Sequence, residues 1–118
     1  MNRAEAEKRG RKGETLAAWY LRLTGWRILA RRVKLAAGEV DLIARRGRTV
    51  AFVEVKWRRD GGALAGAIDA YRLRRVARAS EAVAPKFVRS GDTMQIDVIL
   101  IAPGQWPRRI ANAWQPGA

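Results

Sequence analysis

No cysteine occurs in these 118 residues, so neither a disulfide framework nor a thiolate metal site is available. That absence fits a cytoplasmic protein. Long apolar runs are also missing, because arginine interrupts every stretch that approaches the length of a membrane span. The opening residues, MNRAEAEKRGRKGE, are basic with no apolar core behind them, so a secretory signal is not expected there. Acidic residues are scarce: 11 Asp+Glu stand against 24 Lys+Arg, a formal net charge of +13. Such an excess has two readings, an anionic partner or a high-GC genome that writes arginine wherever a surface charge will do.

What is present speaks for one folded domain over 1–118. Hydrophobic residues make up 48% of the chain and five are Trp, too apolar a composition for a disordered basic tail. The basic residues cluster in nearly every expected element, as Arg9–Arg11–Lys12, Arg31–Arg32–Lys34, Arg45–Arg46–Arg48, Lys56–Arg58–Arg59 and Arg72–Arg74–Arg75–Arg78. This distribution suits a basic face for nucleic acid. It does not suit a membrane surface, since no cluster lies on a strongly amphipathic helix with a bulky apolar side.

Leu16, Trp19, Tyr20 and Leu23 recur at helical spacing and predict a first helix over about Ala4–Leu23, closed by Thr24-Gly25. Gly10 and Gly13 are costly inside a helix, so a frayed basic arm over 1–12 is expected before its regular part. Three strands follow, at Trp26–Lys34, Glu39–Arg45 and Thr49–Trp57, the last two joined by a tight turn at Arg46-Gly47-Arg48. Asp60-Gly61-Gly62 reads as a loop. A second helix is expected over Ala67–Val83, with Ile68, Tyr71, Val76, Ala79 and Val83 buried. Met94–Ala102 is apolar enough for a central strand. A right-handed crossover then makes the strands at Thr49 and Met94 parallel. The tail, 103–118, keeps Trp106, Ile110 and Trp114, and is expected to add an edge strand or fold over the sheet. Trp19, Trp26 and Trp57 are expected in the core.

Three of the few carboxylates sit inside the most apolar strands: Asp41 in EVDLI, Glu54 in FVEVK and Asp97 in QIDVIL. A carboxylate in a buried strand costs several kcal/mol unless it is paired, hydrogen-bonded or on a metal. Strand alternation puts Glu54 and Lys56 on one face, roughly 7 Å apart. Counting back from the hairpin turn pairs Arg45 with Thr49, and so Asp41 with about Val53, one residue either way. Asp41 and Glu54 can then converge as hard oxygen ligands for Mg²⁺ or Mn²⁺, with the Val55 carbonyl between them and Lys56 beside the attacking water. The competing reading is structural: a Glu54–Lys56 ion pair, with Asp41 capped by backbone amides. Asp97 is assigned a structural role, paired with an arginine.

Gly13-Glu14 opening a helix, then Gly38-Glu39-Val40-Asp41-Leu42-Ile43, then Phe52-Val53-Glu54-Val55-Lys56, resemble the YraN family of small bacterial proteins. That family resembles the restriction-endonuclease-like superfamily, including compact archaeal Holliday-junction resolvases. The resemblance covers nearly the whole chain, as far as Ile110-Ala111-Asn112-Ala113-Trp114. It implies an α/β fold with a restriction-endonuclease-like core, a mixed central sheet flanked by helices in the order helix, three strands, helix, strand and packed tail. It implies catalysis by Asp41, Glu54 and Lys56, with Asp41 and Glu54 as metal ligands. Glu14 is implied as a further ligand or water holder, against the alternative that it stabilises the helix dipole. Glu39 belongs to the same motif, and a loop or an arginine is its alternative partner. Two positions depart from the pattern: Arg72 stands where a lysine is usual, and Gln95-Ile96-Asp97 where Arg-Phe-Asp is usual. Arg72 keeps the charge with a different geometry.

Residues and resemblance together point to a metal-dependent endonuclease on DNA, with branched or junction structures among the expected substrates and Arg11, Lys12, Arg58, Arg59, Arg72 and Arg75 on the phosphates. The likeness to resolvases carries a homodimer with it, because a junction needs paired cuts. Two rivals stand beside it: a non-catalytic nucleic-acid-binding protein of a recombination or repair assembly, and a scaffold docking a partner through its tail tryptophans.

Overall fold

In the computed structural model, which describes residues 3–59 and 69–114, five strands form one mixed sheet between two helices. The elements are α1 (Arg3–Leu23), β1 (Arg27–Leu35), β2 (Gly38–Arg46), β3 (Thr49–Trp57), α2 (Ala70–Phe87), β4 (Thr93–Ile101) and β5 (Arg108–Ile110). Strand order in space follows the chain, β1-β2-β3-β4-β5. All neighbours are antiparallel except β3 and β4, which run parallel from Thr49↔Thr93 to Trp57↔Ile101. Among the described residues no helix is long and apolar enough to cross a membrane.

Alternation along β3 separates two cores. Val50 and Phe52 pack with Val40, Ile43, Leu73 and Val76 on the α2 side; Ala51 and Val53 pack with Ala17, Ala18, Leu21 and Leu42 on the α1 side. The same alternation carries Glu54 to the α2 side. Small residues bring α1 close to the sheet: an added Cβ on Gly13 would lie 3.7 Å from Val55 Cγ1, and Ala17 and Ala18 are fully buried.

The stripe at Leu16, Trp19 and Leu23 marks the helix correctly but lies on its outer side, and Trp19 is 57% exposed rather than in the core. Beneath α1 the sheet-facing positions are taken by Ala17, Ala18 and Leu21, packed on Leu42, Val53, Ile99 and Ile101, and Leu16, Trp19 and Leu23 lie on the other side of the helix. The Arg22 guanidinium lies 5.3 Å from the centre of the Trp19 ring. Trp26 does enter the core, with the guanidinium groups of Arg46 and Arg109 at 4.5 and 4.9 Å from its ring centre, and Trp57 packs half-buried against the same core. The helix itself starts at Arg3, with both Gly10 and Gly13 inside it.

The hairpin between β2 and β3 pairs Arg46 with Thr49, so its loop is Gly47-Arg48, with φ +62 at Gly47. Arg45 pairs with Val50, one residue from the expected register. Extended toward the far end of the hairpin, this register sets Asp41 level with Glu54. The ladder stops short of them, at Leu42↔Val53.

Helix α2 begins after Asp69, whose side chain accepts from the amides of Tyr71 at 3.0 Å and Arg72 at 3.2 Å. It runs through Pro85 to Phe87, past the expected end at Val83. Leu73, Val76, Ala77, Ala79 and Ser80 face the sheet; Tyr71 is exposed, and Ile68 lies outside the described residues. The position of α2 is fixed by Gly38: a Cβ there would stand 2.2 Å from the Arg75 carbonyl oxygen, so only glycine admits the helix so close to β2.

The tail adds β5 as an edge strand on β4, and Ala113 and Trp114 pack on the α2-side core, while Trp106 is 78% exposed. Asp97 holds this return. Fully buried, it accepts from Arg109 Nε at 2.8 Å, the Asn112 amide at 2.9 Å and Gln95 Nε2 at 2.9 Å. The arginine partner expected for it is Arg109.

A carboxylate cleft at the end of the β2–β3 hairpin

Where β2 and β3 part, the side chain of Asp41 takes over from the backbone. The Val55 N–H donates to Asp41 Oδ2 at 2.8 Å, one step past the last bonded pair. Burial pushes the Asp41 carboxyl up to about 6. The Val55 hydrogen bond opposes that rise, Glu14 and Glu54 add to it by repulsion, and Arg72 offsets part of it.

Two clefts meet at this residue. One, of about 260 Å³, lies under the first turns of α2 and is lined by Glu39, Asp41, Glu54, Tyr71, Arg72, Arg75 and Val76. The other, of about 390 Å³, lies between the first half of α1 and the middle of β1, with Glu7, Arg11, Glu14, Arg32, Lys34, Glu39 and Asp41 in its wall. Among the described residues only Glu39 and Asp41 border both.

In each cleft an arginine pairs with a glutamate. Arg72 Nε donates to Glu54 Oε1 at 2.6 Å; the glutamate side chain is 2% exposed and the arginine 57%. Glu54 Oε2 is buried without a hydrogen-bond partner among the described residues. Arg32 Nε donates to Glu14 Oε1 at 2.7 Å. Arg32 has a left-handed backbone, φ +53, in the middle of β1. The β1–β2 ladder passes from Arg31↔Leu42 to Val33↔Val40, leaving Arg32 and Asp41 as the two residues between.

The expected site residues are thus partly gathered. Asp41 and Glu54 share one cleft and Asp41 and Glu14 the other, with Arg72 and Arg75 on the first and Arg11 on the second. Lys56 follows Glu54 on β3, is half-buried, borders neither cleft, and makes no ion pair among the described residues. Glu54 pairs with Arg72 across to α2, not with Lys56. Lys12 and Arg59 are exposed, and Arg58 is half-buried with its amide on the Ile101 carbonyl. Arg32 and Tyr71 border the clefts without having been singled out for a site. Arg32 was visible only as one member of a basic cluster, and nothing in the local sequence marks its backbone.

Among the described residues no three acidic side chains form a ready-made metal-binding group. One buried oxygen of Glu54 has no partner among the described residues, and Asp41 is half-buried with two like charges nearby. Both are hard oxygen donors, the kind Mg²⁺ and Mn²⁺ take. Asp41 and Glu54 fit such an ion; Glu14, in this conformation, is occupied by Arg32.

Fold and site together define a small α/β protein with a mixed five-stranded sheet and an arginine-flanked carboxylate cleft. Residues 13–101 match the model of Uncharacterised protein family UPF0102, and the chain belongs to that family, the YraN family. Similar relatives are UPF0102 proteins of Sphingopyxis alaskensis and Erythrobacter litoralis, each 59% identical over 116 residues, covering 98% of this chain and 100% of theirs. One from Methylorubrum extorquens is 49% identical over 108 residues, 91% of this chain and 84% of its own.

Proposed function

We propose that this protein is a metal-dependent endonuclease that hydrolyses phosphodiester bonds in DNA, with branched or junction structures as its substrates. The observation that carries the proposal is the pair Asp41 and Glu54 in one cleft, with a buried Glu54 oxygen unpartnered among the described residues and Arg72 and Arg75 on the same wall. Asp41 and Glu54 would hold Mg²⁺ or Mn²⁺, with Glu14 as a water holder that keeps its arginine, and the ion would supply a water of lowered pKa and offset charge on the phosphate. Arg72 and Arg75 bind phosphate oxygens from α2, and Arg11 does so from α1. Lys12, Arg58 and Arg59 extend the basic surface, and Lys56 orients the attacking water or takes its proton. A net charge of +13 supports a polyanionic substrate and a binding constant that falls steeply with salt. Paired cuts in a junction call for a homodimer.

A second reading, a non-catalytic nucleic-acid-binding protein of the same fold in a recombination or repair assembly, draws on one observation. Glu14 and Glu54 are each already held by an arginine.

One assay separates the two. Linear, flapped and four-way-junction DNA are incubated with the protein in Mg²⁺ or Mn²⁺, alongside Glu54→Ala and Lys56→Ala. The nuclease reading expects cutting by the wild type that both substitutions abolish. Binding to all three DNAs with no cutting under either metal selects the second reading, and cutting that survives both substitutions removes the site.

A further inference from the structure

Arg32 occupies a backbone conformation that bulky side chains rarely adopt, with φ +53 in the middle of an edge strand. Left-handed residues of this kind persist where the surroundings over-determine them, and they collect at functional sites. The surroundings here are specific. Arg32 stands opposite Asp41, both fall between the bonded pairs of the β1–β2 ladder, and the arginine side chain reaches Glu14 on α1.

The guanidinium uses only part of its donor set. Its Nε is bonded to Glu14, its two terminal nitrogens make no hydrogen bond among the described residues, and the side chain is 39% exposed on the cleft wall. Arginine presents five N–H groups in a fixed fork, so one edge can hold a carboxylate while the other takes two oxygens of a phosphate. Arg72 stands the same way in the neighbouring cleft, with Nε on Glu54 and its terminal nitrogens unengaged among the described residues. Asp41 lies between the two arginines, on the wall that both clefts share.

We infer that Arg32 is a phosphate-positioning residue: its left-handed backbone aims the guanidinium into the cleft, where it bridges Glu14 and a backbone phosphate of the bound nucleic acid. Arg32 and Arg72 then hold phosphates on the two sides of Asp41. This rests on the nucleic-acid reading of the cleft, but not on cleavage.

The test uses the full chain and synthetic duplex and four-way-junction DNA without divalent metal, so that binding is read apart from turnover. Arg32→Gly suits the left-handed backbone and removes the guanidinium; Arg32→Asn, also tolerated there, is the second variant. Both are expected to melt at or above the wild-type temperature. Both are expected to bind DNA roughly tenfold more weakly, with a salt slope reduced by about one. Glu14→Gln keeps the arginine and is expected to bind at least as tightly as wild type. Wild-type affinity and slope in both Arg32 variants overturn the inference, as does a lowered melting temperature in both. It also falls if Glu14→Gln weakens binding as much as Arg32→Gly, since the arginine would then act only through that glutamate. A wild type that never cuts, beside Arg32 variants that lose binding, removes the nuclease reading and leaves this inference standing.

Discussion

The Asp41 carboxylate accepts a hydrogen bond from the Val55 amide at 2.8 Å, at the place where the backbone ladder between their strands has already ended at Leu42↔Val53. One side chain therefore closes the hairpin and carries a negative charge into a half-buried site. The two roles conflict, and pH exposes the conflict.

The Asp41 carboxyl is raised from 3.8 to about 6, so the folded state holds a proton that the unfolded chain has released across that window. Stability falls as pH rises from about 4 to about 6, by up to about 3 kcal/mol, and stays lower above it. Asp41→Asn keeps an oxygen for Val55 and removes the charge. In urea titrations the variant is expected to be more stable than wild type at pH 7 and equal to it near pH 4. Asp92 has the opposite sign. The Arg45 side chain, then the Arg89 amide, hold its carboxyl down at about 2, so its contribution is present above pH 4 and is lost as pH falls through 2. A wild type as stable at pH 7 as at pH 4.5, with no gain from Asp41→Asn, contradicts the assignment.

Removing Arg72 leaves Glu54 buried with neither oxygen satisfied by any described residue. Because the arginine side chain is 57% exposed, the loss for Arg72→Ala is expected at roughly 1–3 kcal/mol rather than at the level of a fully buried pair. Adding Glu54→Gln should recover part of it. The coupling energy from a double-mutant cycle in denaturant is the measurement; strict additivity would show that the pair contributes nothing.

Gly38→Ala would place a methyl 2.2 Å from the Arg75 carbonyl, a backbone atom that cannot swing aside. The expected cost is about 2–4 kcal/mol, with α2 displaced and both Arg72 and Arg75 shifted in the cleft. Thermal melts and DNA affinity should change together. A stable variant with wild-type affinity would mean that the helix can retreat freely.

Asp97→Ala strips three donors of one acceptor, including a mostly buried guanidinium. A loss of about 3–5 kcal/mol is expected. Proteolysis should then reach the tail beyond Ala102 before the core. Uniform cleavage along the chain would argue against a local role.

The element order and the hairpin were legible because strand alternation and turn chemistry are local signals, and Thr49–Trp57 reads at its true boundaries. Asp41 and Glu54 could be singled out because charge inside EVDLI and FVEVK is expensive. Side-chain partners were not legible. Glu54 finds Arg72 through a crossover, and Glu14 finds Arg32 through a bent edge strand, contacts of sequence separation 18 in both cases. Trp19 and Tyr71 misled because helical spacing gives a face but not which face the sheet has room to cover.

The bend at Arg32 has a consequence outside the cleft. Strand β1 is an outer strand of the sheet, nine residues long, and a straight strand of that length offers an unbroken row of amides and carbonyls to any passing chain. A left-handed residue at its sixth position divides that row into two short pieces that no single extended strand can follow. Edge-to-edge stacking, the usual route from an open sheet to an insoluble aggregate, is blocked at the residue that reaches across to Glu14.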